Sequence, residues 1–250
     1  LASLARRRWV AAGAAGLAGL SGVATAAPQL RAVTLTLPLF GMAESGEGAG
    51  IFVDIMQRLG RESGLSISNT MAPKVRAQKM LEAGSADLLI GFDSAELLAG
   101  ARHVANVANF EVGLIARPGL QLRTLGDLRG KTVGQLRGSR YNDAYAEEAA
   151  ILKHDTNTMS QILQMLALGR IDAAIGVKEA LYYGLKQEGL QRERFSPFLS
   201  LDRIPAWLHY SRKTWNDDLA RRLAAALGQM QKSGHTAAII RRYTEAAAGG

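Results

Sequence analysis

The sequence has 250 residues, 48% of them hydrophobic, 21% charged and 6% aromatic, with a formal net charge of +8. That is enough chain for one large domain or two small lobes, each with its own core, and the composition excludes collagen, low-complexity and charge-driven disordered chains. With no cysteine, disulfide scaffolds, thiolate metal sites and cysteine nucleophiles are excluded as well.

The first predicted element is an export label. Arg6, Arg7, Arg8 and Trp9 precede an apolar run from Val10 to Val23, and Ala24-Thr25-Ala26 supplies a small-x-small exit before Ala27. A positive n-region, a short apolar h-region and a small-residue exit are the three parts of a secretory signal. The run is shorter than the ~20 residues a membrane span needs, so cleavage is expected rather than an uncleaved anchor. The arginines also fit a twin-arginine route loosely. Removing residues 1–26 deletes three arginines and no acid, which lowers the net charge from +8 to +5. An exported chain without a long basic run is not expected to bind nucleic acid. The expected location is the periplasm.

Beyond Ala27, apolar runs of strand length alternate with segments of helical period, as in an α/β protein. Val33–Leu37 reads as a strand. Ile51, Ile55 and Leu59, with Phe52 and Met56, form the apolar face of a helix running to about Gly64. Pro73–Ala83 is a second helix closed by Gly84, and Asp87–Gly91 a buried strand. Phe110–Ala116 is a strand stopped at Pro118. Lys131–Leu136 is another, followed by Gly138-Ser139 and a helix. Thr158-x-x-Gln161 is a capping box, and Met159, Ile162, Leu163, Leu166 and Ala167 follow helical spacing behind it. Gly169 supplies a left-handed stop, then come strands Ile171–Gly176 and Ile204–Ser211 and helices Asp217–Lys232 and His235–Thr244.

One stretch of this pattern occurs twice. Met80–Gly91 lines up with Met165–Gly176, matching Met, Leu, Gly, Asp, Ile and Gly at a constant offset of 85 residues. That period is too long for a solenoid repeat; it suggests two similar α/β lobes, or simply two joints of the same helix–Gly–strand kind. Two such lobes imply a cleft beyond the carboxyl ends of the strands. Those ends are Pro38–Phe40, Phe92–Asp93, Arg137–Arg140 and Val177–Glu179.

The mature chain resembles a family 3 periplasmic solute-binding protein, the polar-amino-acid type that serves ABC importers. Gly50-Ile51-Phe52-Val53-Asp54-Ile55, Pro73-x-x-Arg76-Ala77 with Leu81-x-x-Gly84-x-x-Asp87, and Leu125-x-x-Leu128-x-Gly130-Lys131-x-Val133-Gly134 running into Gly138-Ser139 carry the resemblance. Gly169-Arg170-Ile171-Asp172-Ala173 and the C-terminal Leu219…Met230-x-x-x-Gly234…Ile240-x-x-Tyr243 complete it. It implies a type II two-lobed α/β fold, each lobe a mixed sheet flanked by helices, joined by two hinge strands. Lobe 1 would take residues 28–115 and 206–250, and lobe 2 residues 116–205. It further implies a monomeric receptor that passes a small polar or anionic solute to an ABC permease, with no cofactor. Arg102 occupies the place of the family's carboxylate-gripping arginine, whose fork binds a carboxylate bidentately, and Ser139 with Arg140 occupies the turn that bonds the same group.

The family's pattern is not matched everywhere. Val177 stands where an Asp commonly holds a ligand ammonium, Phe110-Glu111 replaces a Pro-Tyr pair, and Arg140 replaces a hydroxyl residue. These losses weaken the case for an ordinary α-amino acid. Charge placement points to an anion independently. Lys74 and Arg76 fall in the first turn of one predicted helix and Arg140 in the first turn of another, where a cation is disfavoured by a few tenths of a kcal/mol. Arg76, Arg102 and Arg140 are therefore expected to converge on an anionic group; the alternative is three solvated arginines. With the strand-end residues Phe40, Phe92, Asp93 and Glu179 and the turn residue Ser139, they make up the candidate ligand-binding set.

Other chemistry reads more weakly. Gly46-x-Gly48-x-Gly50 has the wrong spacing for a dinucleotide loop and fits a cleft-rim loop. His103, His154, His209 and His235 show no paired metal spacing, so no metal is expected. Asp93 and Glu179 follow equivalent strands and could form an acid/base pair, the feature that keeps a lyase on the same fold open. A sensor or accessory binding module without a transport role is the other alternative.

Overall fold

The structure, a computed structural model, describes residues 29–42 and 48–248, so the expected export label and Gly46 lie outside the described residues. In chain order the first elements are β1 (Gln29–Leu35), α1 (Ile51–Ser63), β2 (Ser66–Ala72), α2 (Lys74–Ala83), β3 (Leu88–Phe92) and α3 (Ala95–Gly100). A long β4 (Ala101–Ala116) leads to β5 (Thr132–Leu136), α4 (Asp143–Glu147), β6 (Leu152–Thr156), α5 (Met159–Ala167), β7 (Ala173–Val177) and α6 (Lys178–Gln187). A second long strand, β8 (Leu199–Ser211), returns to α7 (Asp217–Lys232) and α8 (His235–Ala248).

The strands join in the order β2-β1-β3-β8-β4-β7-β5-β6. Each half has three parallel strands, β2-β1-β3 and β7-β5-β6, and the long β4 and β8 run antiparallel to each other and to the neighbouring β7 and β3. The last rung attached to the first half is Phe92↔Ala206↔Ala108, and the first attached to the second half is Val112↔Val177. Between them Asn109↔Pro205, Phe110↔Ile204 and Glu111↔Arg203 form a two-stranded ribbon. The molecule is therefore two lobes hung on three residue pairs.

Each lobe buries both faces of its sheet. In the first lobe Ile55, Met56 and Leu59 of α1 and Leu223, Leu227 and Met230 of α7 cover Leu88, Ile90 and Leu208, while Ala77 and Leu81 of α2 and Leu97 of α3 cover Val33 and Leu89. In the second lobe Ile162, Leu163 and Leu166 of α5 and Leu181 of α6 pack on Ile115 and Ala174; Tyr141 and Tyr145 close the opposite face. The helical spacing of these residues in the sequence is the cause: it puts each apolar set on one stripe.

The repeated stretch has a structural meaning. Gly84 and Gly169 both sit in the left-handed region, at φ 71° and 66°, where each lets a chain turn from helix to strand. The following acids do equivalent work. The Asp87 carboxylate accepts the Arg31 backbone N–H at 2.8 Å and its Nη2 at 2.7 Å, while the Asp87 N–H donates to the Arg31 carbonyl at 2.6 Å. The Asp172 carboxylate accepts the Thr132 N–H at 2.9 Å and Arg117 Nε at 3.0 Å, and its own N–H donates to the Thr132 carbonyl at 2.8 Å. In each lobe an aspartate staples two neighbouring strands and takes an arginine.

Several elements differ from expectation. The strands read as Phe110–Ala116 and Ile204–Ser211 are parts of the longer β4 and β8. Register shifts at His103/Ala105, Asn106/Ala108 and Val112/Gly113 break the two-residue alternation that marks a strand. β2 and β6 were not expected because both are edge strands with little buried surface. The capping box at Thr158 is half formed. Thr158 Oγ1 accepts the Gln161 N–H at 3.2 Å, but Gln161 Oε1 reaches the N–H of Asn157 instead of Thr158.

Candidate functional site

The carboxyl ends of β1, β2 and β3 face those of β5, β6 and β7 across the ribbon, with a gap between the lobes. Lys74, at the start of α2, spans it. Its ammonium donates to the Gly138 carbonyl at 2.5 Å and lies 3.5 Å from Ser139 Oγ, both on the turn after β5. The amine is half-buried, and burial pulls its pKa down while Glu96, at longer range, opposes that shift. The Ser139 N–H is already committed to the Leu136 carbonyl at 3.1 Å, which leaves its hydroxyl as the group facing the amine.

A cavity of about 290 Å³ lies along the same gap, between the β1–α1 loop and the paired helices α5 and α6. Thr36, Pro38 and Met42 form one wall; Ser160, Tyr183 and Gln187 form the other. Tyr183 donates its hydroxyl proton to Met42 Sδ at 2.8 Å. The loop is held in an unusual shape, for Leu39 is fully buried at φ 69°, a left-handed conformation disfavoured by roughly 1–2 kcal/mol for a residue with a Cβ.

The expected site residues separate into groups. Phe40 is fully buried and Phe92 partly so; with Phe52 and Phe110 they make a four-ring cluster whose centroids lie 4.7–6.2 Å apart. Neither is a free cleft wall, because the edge-to-face contacts occupy their faces. Val177 and Ala180 of the second lobe join the same apolar cluster, so the lobes touch through carbon as well as through Lys74.

The three arginines do not converge. Arg102 pairs with Tyr210, which pairs with Leu88 at the start of β3. That is six residues, about 20 Å, up β4 from the rung at Ala108, and its guanidinium lies over the Trp215 ring at 4.0 Å. Arg140 precedes α4 rather than opening a helix, and pairs with Asp143 at 2.7 Å on the surface. Arg76 is exposed on α2. Two residues along a helix is a turn of about 200°, so Lys74 and Arg76 cannot face the same way. Ala77 and Leu81 fix the inward face, and that sends Lys74, not Arg76, toward the gap. A first-turn cation was a readable signal; the choice between the two needed the helix phase.

The two acids are not a facing pair either. Asp93 Oδ1 accepts His103 Nε2 at 2.8 Å and His209 Nε2 at 2.9 Å. Glu179, in the first turn of α6, has Lys178, Glu111 and Arg203 as its charged neighbours. Burial raises its pKa, and its Oε2 is enclosed with no hydrogen-bond partner among the described residues. Lys178 pairs with Glu111 at 2.7 Å beside the ribbon. Met42, Ser160 and Tyr183 carried no motif in the sequence; only the meeting of the lobes marks them.

No protein-family model and no curated protein matches the chain. Solved structures do match in fold. An ancestral arginine-binding protein bound to glutamine superposes with a TM-score of 0.72 at 21% identity, over 86% of this chain and 97% of that one. The GluR0 ligand-binding core from Nostoc punctiforme in complex with L-glutamate gives 0.71 at 16% identity, over 86% and 98%. A histidine kinase sensor domain with similarity to periplasmic binding proteins gives 0.73 at 18%, over 87% and 96%. The chain has the two-lobed fold of periplasmic binding proteins.

Proposed function

We propose that the chain is an exported receptor that holds a small polar, carboxylate-bearing solute between its lobes and presents it to an ABC importer. The observation that carries this reading is Lys74. A half-buried ammonium whose direct partners are a carbonyl and a hydroxyl still lacks a full counter-charge, and a carboxylate reaching the gap supplies one through a charge-assisted bond. The fold supports binding by closure, in which a solute stabilises the closed state by its greater affinity for it. The small cavity suits a metabolite rather than a peptide.

The test is calorimetry of the mature chain against amino acids and mono- and dicarboxylates, with the same panel on Lys74→Met. Binding of at least one carboxylate that weakens ten-fold or more in Lys74→Met is expected. Equal affinity in both proteins, or binding confined to uncharged solutes, overturns the reading. Ligand recovered unchanged by NMR separates a receptor from a lyase.

A sensor module is the second reading, favoured by the apolar contact of Val177 and Ala180 with the phenylalanine cluster. That contact stabilises the closed arrangement from the chain's own residues. Small-angle scattering that shows no change of shape on solute addition supports it over a receptor that opens and closes.

A further inference from the structure

Two histidines that lie 106 positions apart in the sequence meet at one carboxylate. His103 on β4 and His209 on β8 face the same side of the sheet as neighbours in register, and both aim Nε2 at Asp93 Oδ1, at 2.8 and 2.9 Å. One ligand atom from each of the three residues lies within 4.8 Å of the other two. The rings are fixed by packing. His103 stacks on Trp207, with centroids 4.3 Å apart and planes 11° from parallel. His209 is entirely buried, and its Nδ1 has no hydrogen-bond partner among the described residues, so the polar contacts of that ring seen there are made through Nε2. Asp93 is placed by its neighbour, for Ser94 caps α3 and accepts Gln78 Nε2 at 2.9 Å.

We propose that Asp93, His103 and His209 form a binding site for a divalent d-block cation of the Zn²⁺, Ni²⁺ or Cu²⁺ type. Two imidazoles and a carboxylate are the donor set such ions select, whereas Mg²⁺ and Ca²⁺ select oxygen. Metal–ligand bonds of about 2.0–2.2 Å place tetrahedral ligands about 3.4 Å apart, so each ring nitrogen needs to part from Asp93 Oδ1 by only about 0.5 Å beyond its hydrogen-bonded spacing of 2.8 or 2.9 Å. The cation then takes the place of the two Nε2 protons, which pass to Nδ1 of each ring. Asp93 and His103 side chains are 36% and 34% exposed, which gives an entry path and leaves a coordination position open to water. His209 is the weak side of the site. A ligating ring is ordinarily supported by an acceptor at its other nitrogen, and loss of that support costs about 10–100-fold in affinity. With His209 Nδ1 enclosed and unpartnered, a dissociation constant on the order of micromolar is expected rather than the far tighter binding of a fully supported site.

The experiment uses tag-free mature protein, titrated calorimetrically with ZnCl₂, NiCl₂ and, as a control, MgCl₂. One equivalent of Zn²⁺ or Ni²⁺ should bind and Mg²⁺ should not. His103→Ala, at a half-exposed position that leaves the core intact, should weaken binding at least thirty-fold, and His154→Ala on the exposed β6 should leave it unchanged. Co²⁺ substitution supplies a second readout through the visible absorption of a low-coordinate nitrogen–oxygen site, which His103→Ala should abolish. Undiminished binding in His103→Ala, loss of binding in His154→Ala, or equal uptake of Mg²⁺ overturns the proposal. The outcome is independent of whether a carboxylate solute binds beside Lys74.

Discussion

Replacing Asp87 by Asn tests whether the repeated aspartate is a staple rather than an incidental match. The carboxylate is 6% exposed and holds three donors of Arg31: the backbone N–H, Nε and Nη2. Asparagine keeps one acceptor oxygen but turns an NH₂ toward those donors, so at least one charge-assisted bond is lost and two N–H groups are left facing each other. Hydrogen bonds to charged groups contribute about 1.5–3 kcal/mol each, and the half-exposed Arg31 side chain reduces that. A net loss of about 2–3 kcal/mol follows, or roughly 4–12 °C in Tm for a chain of this size. Asp172→Asn should cost less, about 1–2 kcal/mol, because that carboxylate is more exposed, at 22%, and bonds its arginine through Nε. Burial alone would raise the Asp87 pKa, but the Arg31 hydrogen bonds outweigh it and hold the carboxyl below its ordinary value. A depressed pKa adds stability that is present above the unfolded value of about 3.9 and lost as pH falls through the folded value. Urea denaturation followed by circular dichroism should show the wild-type advantage intact at pH 7 and 5 and shrinking below pH 4. Equal stability at pH 7, or an advantage undiminished at pH 2.5, would refute the staple.

Two further substitutions follow from the same surroundings. Glu179→Gln should raise Tm at pH 7, because burial lifts the pKa of this carboxyl and the charged form is the disfavoured one. The effect is lost toward acid: a raised pKa makes the wild type gain stability as pH falls through the folded value, so the variant's advantage in thermal melts should vanish near pH 4. Gly169→Ala should cost about 1 kcal/mol, the price of φ 66° for a residue with a Cβ, since that Cβ meets nothing within 4 Å among the described residues. Gly84→Ala should cost more by chemical denaturation, because its Cβ also lands 3.1 Å from Lys213 Cβ.

The parts of the fold legible in the sequence are those in which one stripe or run of residues is buried. α1, α5 and α7 announce themselves by apolar spacing, and the Gly84 and Gly169 stops by residue type. The edge strand β6, Leu152–Thr156, is exposed at four of its five positions and so carries no alternation to read. β4 was half hidden by its bulges. The site was less legible because it depends on relations between distant elements. Lys74 outranks Arg76 only through the phase of α2, and Arg102 turns out to be a partner of Trp215 because β4 begins at the far end of the lobe. Spacing rules for metal ligands assume neighbours in sequence; His103 and His209 are neighbours only in the β4–β8 register.

The narrow ribbon has a mechanical consequence. Any swing of one lobe against the other is taken up by the torsions of Asn109, Phe110, Glu111, Arg203, Ile204 and Pro205. Pro205 cannot rotate about its N–Cα bond and gives the ladder no N–H, so one rail of the ribbon is stiff where the other is free. Phe110 and Ile204, at the middle, are each anchored in an apolar cluster. A lever with one stiff rail and a packed fulcrum favours a single direction of travel. In amide exchange, Asn109 and Glu111 should report that travel more strongly than Arg203 and Ile204, and Pro205→Ala should even them out.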